Sequence, residues 1–453
     1  MKIQPNPARP PALDPNDARY WDERDLEGEM KRVFEICHGC RMCVGFCGSF
    51  PDMFGRVDRD IEKKGADGSE LTGLDDFRSV TDLCWQCKLC FIECPYTVDQ
   101  KHEWAVDVPR LLMRFKANDA RRNGVTFQDK VLGEPGKLGS MASGFLAPVA
   151  NLISSSQLLR KVQAKVTGIS AEFPVPPFAS TTFESWMNKR TPLDGAGSLG
   201  AVAIFSTCMG DYNFPSIAAS AVRVLEKNGY SVTRPEQVCC GIPNLDGGDL
   251  DAARDKARTN IQSLLPHVRA GKLVVTVQPT CGYTIKKEWP ELLGAGDRAA
   301  GREVAAATVD IMELLERLRR EKKLNREFTS GLGKVAYHAA CHLRAQKIGF
   351  PGARILGLLP DTEVEIVEKC SAVDGTWGMK SQYYEMGRRY ARKLASGIEN
   401  AEATTVVTDC ALSAQRILKE NEVAALHPAE ALARAYGIDP SESRAPSGKA
   451  AER

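Results

Sequence analysis

CHGCRMCVGFC at residues 37–47 and CWQCKLCFIECP at residues 84–95 repeat one spacing, C-x-x-C-x-x-C-x-x-x-C, and hold eight of the fifteen cysteines. Two-residue gaps let three sulfurs of one short loop converge on a single cluster, and a cubane iron–sulfur cluster has four iron corners that each take one thiolate. Where two such runs occur together, the last cysteine of each serves the other's cluster. The pattern predicts Cys37, Cys40, Cys43 and Cys94 as one ligand set and Cys84, Cys87, Cys90 and Cys47 as the other. Pro95 fits that pattern, whereas Gly48 at the matching place after the first run departs from it. Structural zinc takes closed four-ligand sets, often two C-x-x-C pairs, rather than a triplet plus one. The runs therefore point to two [4Fe-4S] clusters and to electron transfer.

The surrounding sequence predicts a mostly helical, two-cluster ferredoxin-like domain over residues 23–130, with helical periodicity around Phe34 and apolar residues at helical spacing in VDVPRLLMRFK (106–116). Residues 1–22 are proline-rich and 440–453 are small, polar and charged, so both read as disordered arms. A Pro/Gly/Ser/Thr-rich stretch closes a linker over 131–199. Within that linker, residues 138–159 carry no charged side chain and are followed by Arg160, Lys161 and Lys165, a pattern that suits an interfacial membrane-docking segment or an interdomain connector.

From Gly200 onward, short apolar runs alternate with helical stretches. AVAIFST (201–207), KLVVTVQPT (272–280), KVAYHAA (334–340), TEVEIVE (362–368) and TTVVTD (404–409) read as strands. Residues 216–229, 250–265, 309–323 and 383–398 read as helices, and the alternation implies βαβ crossovers and parallel pairing. The remaining cysteines mark strand ends. Cys208, Cys239–Cys240 and Cys281 punctuate the first half, and Cys341, Cys370 and Cys410 repeat the order in the second. That is an internal duplication, over 200–330 and 331–439, with its cysteines on the sheet edge where open α/β folds build their sites. The predicted class is thus α + α/β: a helical ferredoxin-like domain followed by a duplicated βαβαβ cysteine-rich domain.

With QVCCGIPNLDGG (237–248), AACHLRA (339–345), VDGTWGMKS (373–381), VVTDC (406–410) and GFLAPVANLI (144–153), the chain resembles the CCG-domain proteins of the heterodisulfide reductase type. The resemblance implies that the two clusters deliver electrons to a site built by the CCG repeats. It implies a metal site at Cys208, Cys239, Cys240 and Cys281, holding a further iron–sulfur cluster or zinc; Thr284 stands where the family has a fifth cysteine. In the second half, Ser371 and Ser413 replace family cysteines and Ala372 a glycine, leaving Cys341, Cys370 and Cys410. His338 and His342 flank Cys341 and are candidates to complete a metal site there; the alternative is a vestigial half retained for folding.

Two other motifs carry no weight. Gly195-Ala-Gly197-Ser-Leu-Gly200 leads out of a linker into a strand, whereas a dinucleotide site needs strand, glycines, helix. His338-Ala-Ala-Cys-His342 has the histidine spacing of a zinc protease but Ala339 in place of its base. A net charge of +2 gives no basic excess for nucleic acid, and MKIQPNPARPPALDPND lacks the apolar core of a secretory signal, so the expected setting is the reducing cytoplasm. Without a flavin or nicotinamide motif of its own, the chain is expected to need a flavoprotein dehydrogenase or other redox partner. A quinone or second redox protein is the implied acceptor, with peripheral attachment to the inner face of the membrane. The rival functions are a thiol or disulfide reductase at the CCG site and a metal-stabilised, non-catalytic scaffold.

Overall fold

The structure, a computed structural model, describes residues 5–65, 74–373 and 375–439. The tail at 440–453, read above as disordered, lies outside the described residues, as do residues 1–4 and Asp374 of the VDGTWGMKS motif.

The N-terminal part is helical. Asp22 caps the helix Glu23–Cys40 by accepting from the backbone N–H groups of Arg24 and Asp25, and Leu26, Met30, Val33 and Phe34 line its buried side. With helices Ser49–Lys64, Leu74–Asp82 and Val108–Asn123 it encloses a core of Phe50, Phe54, Phe77, Leu111 and Phe115. The first cysteine run spans the end of the first helix, with Cys37 and Cys40 still in its last turn, and the second follows Asp82, with Cys90 in the short helix Leu89–Ile92.

Residues 5–22, part of the arm expected to be disordered, pack instead. Tyr20 is buried, Arg114 donates to the carbonyls of Tyr20 (2.8 Å) and Asp22 (3.2 Å), and Asp14 pairs with Arg298 at 2.7 Å. Proline content signals stiffness and low hydrophobicity, but it does not reveal that one aromatic residue has a distant groove to fill.

The second part holds two parallel sheets. β1 (Gly200–Phe205), β2 (Tyr230–Thr233), β3 (Leu273–Thr276) and β4 (Thr308–Asp310) form one in the order β2-β1-β3-β4. β5 (Gly333–His338), β6 (Thr362–Val367) and β7 (Thr405–Thr408) form the other in the order β6-β5-β7. Val202 aligns with Val232 and Leu273 in the first sheet, and Val335 with Val364 and Thr405 in the second. The shared order of three strands is the duplication expressed as topology. β4 is matched in the second sheet only by a single parallel bridge, Leu426 beside Val407, and it takes Val309 and Asp310, read above as helical; the helix begins at Ile311, where Asp310 accepts from the Met312 N–H. One core joins the halves, running from Val202, Ile204 and Val222 to Val335, Tyr337 and Leu432, with helix Pro215–Lys227 packed on helix Pro428–Ala435. The region read as a linker is largely helical, at Phe127–Leu132, Pro135–Ala142, Ala147–Ser155, Gln157–Thr167 and Phe183–Lys189; Phe183 and Trp186 of the last are buried in that common core.

Candidate redox site

The eight thiols of the two runs sort into two neighbourhoods. Burial pushes the Cys37 thiol well up, and the facing thiols Cys43, Cys94 and Cys40 push it further. Cys43 is raised to about 12 by burial and then by Cys94 and Cys40. Cys47, by contrast, feels Cys84 first, and Cys90 feels Cys87, Cys84 and Cys47 before Cys43 of the other neighbourhood. A cavity of about 30 Å³ lies among Cys37, Cys40, Cys43 and Cys94, otherwise walled mainly by apolar side chains such as Ile36, Phe50, Phe54 and Val106. All-sulfur donors, apolar walls and a space between them fit an iron–sulfur cluster. Among the described residues, no group of three or more His, Cys, Asp or Glu side chains is set to hold a single metal ion.

The loop backbones are strained toward the sulfurs. Arg41, Gln86 and Lys88 adopt positive φ (55°, 54° and 64°), a region that costs non-glycine residues on the order of 1 kcal/mol or more. The Gln86 N–H and side-chain amide both donate to the Cys84 sulfur at 3.5 Å. Hydrogen bonds to sulfur are among the determinants of a cluster's reduction potential.

Lys88, between Cys87 and Cys90, is a buried cation of the site that the cysteine spacing does not reveal. Its ammonium is buried, donates to Gln86 Oε1 at 2.8 Å and pairs at 3.2 Å with buried Glu288, on the turn that follows Cys281. Burial would raise the Glu288 carboxyl, but Lys88 and Arg110 outweigh that and hold it below its ordinary range. A lysine inside a cysteine run was visible in the chain. Its partner, two hundred positions away, was not.

At the first repeat, Cys208, Cys239, Cys240 and Cys281 stand past the C-terminal ends of β1, β2 and β3 and touch in series. Cys239 lies within hydrogen-bonding reach of Cys208 and Cys240, and Cys240 of Cys281. The bonds from Cys208 and Cys240, with the Gly241 N–H and Lys256, draw the Cys239 thiol well below its usual value despite burial. Asn260 and Trp289 brace the pair from behind, donating to the Cys239 and Cys240 carbonyls at 3.2 and 2.9 Å. Thr284 turns its hydroxyl to the Thr280 carbonyl at 2.8 Å, which accounts for its side chain without a metal.

The second repeat places its residues differently. Cys341 and Cys370 pack against the N-terminal core, beside Trp85 and Cys87, and Cys370 also faces Cys47. Cys341 and Cys410 line, with all four thiols of the first repeat, a cavity of about 160 Å³ between the two sheet edges. Ser371 and Ser413, the two replaced positions, hydrogen-bond to each other at 2.9 Å in the wall of that cavity. One buried serine would leave its hydroxyl without a partner; two satisfy each other.

The histidines do not fit the ligand role considered for them. His338 Nε2 donates to the Lys369 carbonyl (3.0 Å) and Nδ1 accepts from the Thr408 hydroxyl (2.8 Å). His342 Nε2 donates to the Gln86 carbonyl (3.2 Å) and Nδ1 accepts from Thr280 (3.0 Å). Both ring nitrogens of each are engaged by the protein, and His342 ties the second repeat to the second cysteine run. Burial holds His338, His342 and the helix-capping His427 down to about 4. Groups depressed in the fold from an unfolded value of about 6.5 add stability above that value and lose it as pH falls toward 4. Each is expected to account for on the order of 2–3 kcal/mol between neutral and acid pH. Anaerobic urea unfolding at pH 7 and pH 4.5 checks this: His427→Asn, which keeps a capping acceptor, should narrow the difference between the two midpoints.

Thiol sets at loops and sheet edges define a class, the cysteine-rich iron–sulfur proteins. Residues 202–286 and 335–412 match the cysteine-rich domain family CCG, and residues 30–122 match the Fer4-like domain of citrate utilization protein B. The chain is thus similar to CCG cysteine-rich domains over two segments, with a match to a Fer4-like domain ahead of them. It is 27% identical over 312 residues to the C subunit of anaerobic glycerol-3-phosphate dehydrogenase from Escherichia coli strain K12, covering 67% of this chain and 76% of that one. It is 30% identical over 215 residues to the B subunit of fumarate reductase (CoM/CoB) from Methanothermobacter marburgensis, covering 46% and 40%. Over 86 residues it is 33% identical to citrate utilization protein B of Escherichia coli, 19% of each chain.

Proposed function

We propose that this chain is the electron-transferring iron–sulfur subunit of a dehydrogenase or reductase. It takes electrons from a flavin-dependent partner, passes them through two [4Fe-4S] clusters and delivers them at the CCG edge to a quinone or redox-protein acceptor, with peripheral attachment to the membrane. The observation that carries this is the pair of crossed thiol sets, the second of which abuts the second CCG repeat through Cys370 and Cys341. Cys37, Cys40, Cys43 and Cys94 would hold one cluster, and Cys84, Cys87, Cys90 and Cys47 the other. When bound, each cluster supplies one-electron transfer. The chain's own part is to exclude water with Phe50, Phe54 and Trp85, to donate hydrogen bonds from Gln86, and to set a buried cation, Lys88, beside the second set.

Cys208, Cys239, Cys240 and Cys281 would hold a third iron–sulfur centre; their spacing is not set for a single ion, so zinc is kept as an outcome of the test. We assign no metal to Cys341, Cys370 and Cys410, because the histidines are engaged and the serines are paired. Anaerobic purification with iron, sulfide and zinc analysis, followed by an EPR-monitored titration, tests the reading. About eight irons per chain are expected from the two runs, about twelve if the first CCG set also holds a cubane, and about eight with one zinc if it holds zinc. A gently prepared protein without iron overturns it.

A second reading rests on one observation. An open cavity of about 460 Å³ reaches Cys208 and Cys239 past Lys256 and Tyr212, giving a small disulfide access to the first CCG set. Oxidation of the reduced protein by a disulfide, abolished by Cys239→Ala, would favour a thiol/disulfide reductase.

A further inference from the structure

The helices Pro135–Ala142, Ala147–Ser155 and Gln157–Thr167 are built inside out. A surface helix of a water-facing protein turns its apolar stripe inward and its polar face out. Here the exposed stripes are Leu138 and Met141, then Val149, Leu152 and Ile153, then Leu158, Val162 and Val166, each at helical spacing, with Phe145 between the first two helices 89% exposed. Scattered exposed apolar residues are ordinary, but a contiguous set of this size marks an interaction surface.

The charge pattern selects the occupant. Residues 135–171 contain no Asp or Glu, and their basic residues are Lys137, Arg160, Lys161 and Lys165. Arg160 is used internally, donating to the carbonyls of Ser170 and Phe173, and Lys137 pairs with Glu134 at 3.4 Å, while Lys161 and Lys165 are exposed beside the apolar stripes. Apolar stripes flanked by Lys161 and Lys165, with no carboxylate between residues 135 and 171, suit the interfacial zone of an anionic lipid bilayer. Among the described residues no helix is long and apolar enough to cross a membrane, so the contact lies in the bilayer surface.

The surface is also joined to the redox site. Gly136 lies directly over Cys208 and Cys239, where an added Cβ would stand at 3.9–4.0 Å from their atoms. Leu138, exposed on the same helix, lines the cavity that holds the first CCG thiols. We propose that residues 135–167 seat the protein on an anionic membrane surface, with helix Pro135–Ala142 as both the start of the seat and the roof of the first thiol set. This rests on the peripheral attachment proposed above and names its surface and its lipid chemistry.

Co-sedimentation of the anaerobically purified full-length holoprotein with vesicles of phosphatidylglycerol or of phosphatidylcholine tests it. Binding is expected to the anionic vesicles, to weaken with salt, and to fall at least about tenfold in Phe145→Asp/Leu152→Asp/Leu158→Asp. Lys161→Glu/Lys165→Glu should abolish the preference for phosphatidylglycerol over phosphatidylcholine. Iron content and EPR spectra unchanged in both variants would show that the fold and clusters are intact. No binding to either vesicle, or equal binding by wild type and the triple variant, overturns the proposal. So does a dimer in light scattering that the triple variant loses while vesicle binding is absent, since a second copy would then own the surface. Failure here with titratable clusters leaves the electron-transfer reading standing; vesicle binding by an iron-free protein would do the reverse.

Discussion

Cys94→Ala is expected to remove one cluster and spare the other, cutting iron from the two runs by about half. The cluster lost should be the one held by Cys37, Cys40 and Cys43, although Cys94 belongs to the second run. The reason is spatial: Cys94 shares one cavity with Cys37, Cys40 and Cys43, whereas Cys90 feels Cys87, Cys84 and Cys47 more strongly than Cys43. Cys47→Ala should remove the opposite cluster. The two variants should therefore leave complementary EPR signals that together reconstruct the wild-type spectrum. The signal lost in Cys94→Ala should be insensitive to Lys88→Met, because Lys88 lies in the loop of the other set. If Cys94→Ala eliminates the signal that Lys88 modulates, each run holds its own cluster and the crossed assignment is wrong.

Lys88→Met should destabilise the protein by about 3–5 kcal/mol, the range for leaving one charge of a buried pair uncompensated. The side chains of Lys88 and Glu288 are 3% and 6% exposed, so water cannot make up the loss. Glu288→Gln alone should cost a comparable amount, because it strands the ammonium. The double variant Lys88→Met/Glu288→Gln should recover most of the loss, as removing both charges also removes the burden of burying them. Anaerobic denaturant unfolding of the holoprotein measures all three. A single-variant effect below about 1 kcal/mol would mean that water or Arg110 compensates the remaining charge. The pH dependence has a definite sign. The Glu288 carboxyl is depressed in the fold, so the pair's contribution is complete above the ordinary carboxylate range and is lost as pH falls through the lower folded value. The pair also links the second cysteine run to the helical segment after Cys281, so its loss should loosen the junction between the Fer4-like part and the first repeat.

The chain itself carried the two cysteine runs and the duplication because both are local signals. Two-residue gaps between cysteines describe a loop that closes on its own atoms, and an apolar run ending at a cysteine describes one strand and its edge. Three strands in each half then follow the same order, β2-β1-β3 and β6-β5-β7. Local patterning missed β4, whose three residues are too few to show a period and run straight into the amphipathic helix Ile311–Arg320. It also took Tyr20 for part of a loose arm, because what orders that residue is Arg114 on a distant helix.

What sequence alone determined is the chemistry on offer: eight thiols in two interlocking runs, four more in a first repeat, and a second repeat reduced to three. Tertiary structure alone decided how these are used. It set His338 and His342 in hydrogen bonds at both nitrogens, paired Ser371 with Ser413, brought Cys370 against the second thiol set, and turned the apolar stripes of residues 135–167 outward. The physical reason is range. Ligand spacing is set by a few consecutive backbone torsions, whereas the state of a buried histidine, serine or lysine depends on a partner that only long-range packing brings within 3 Å.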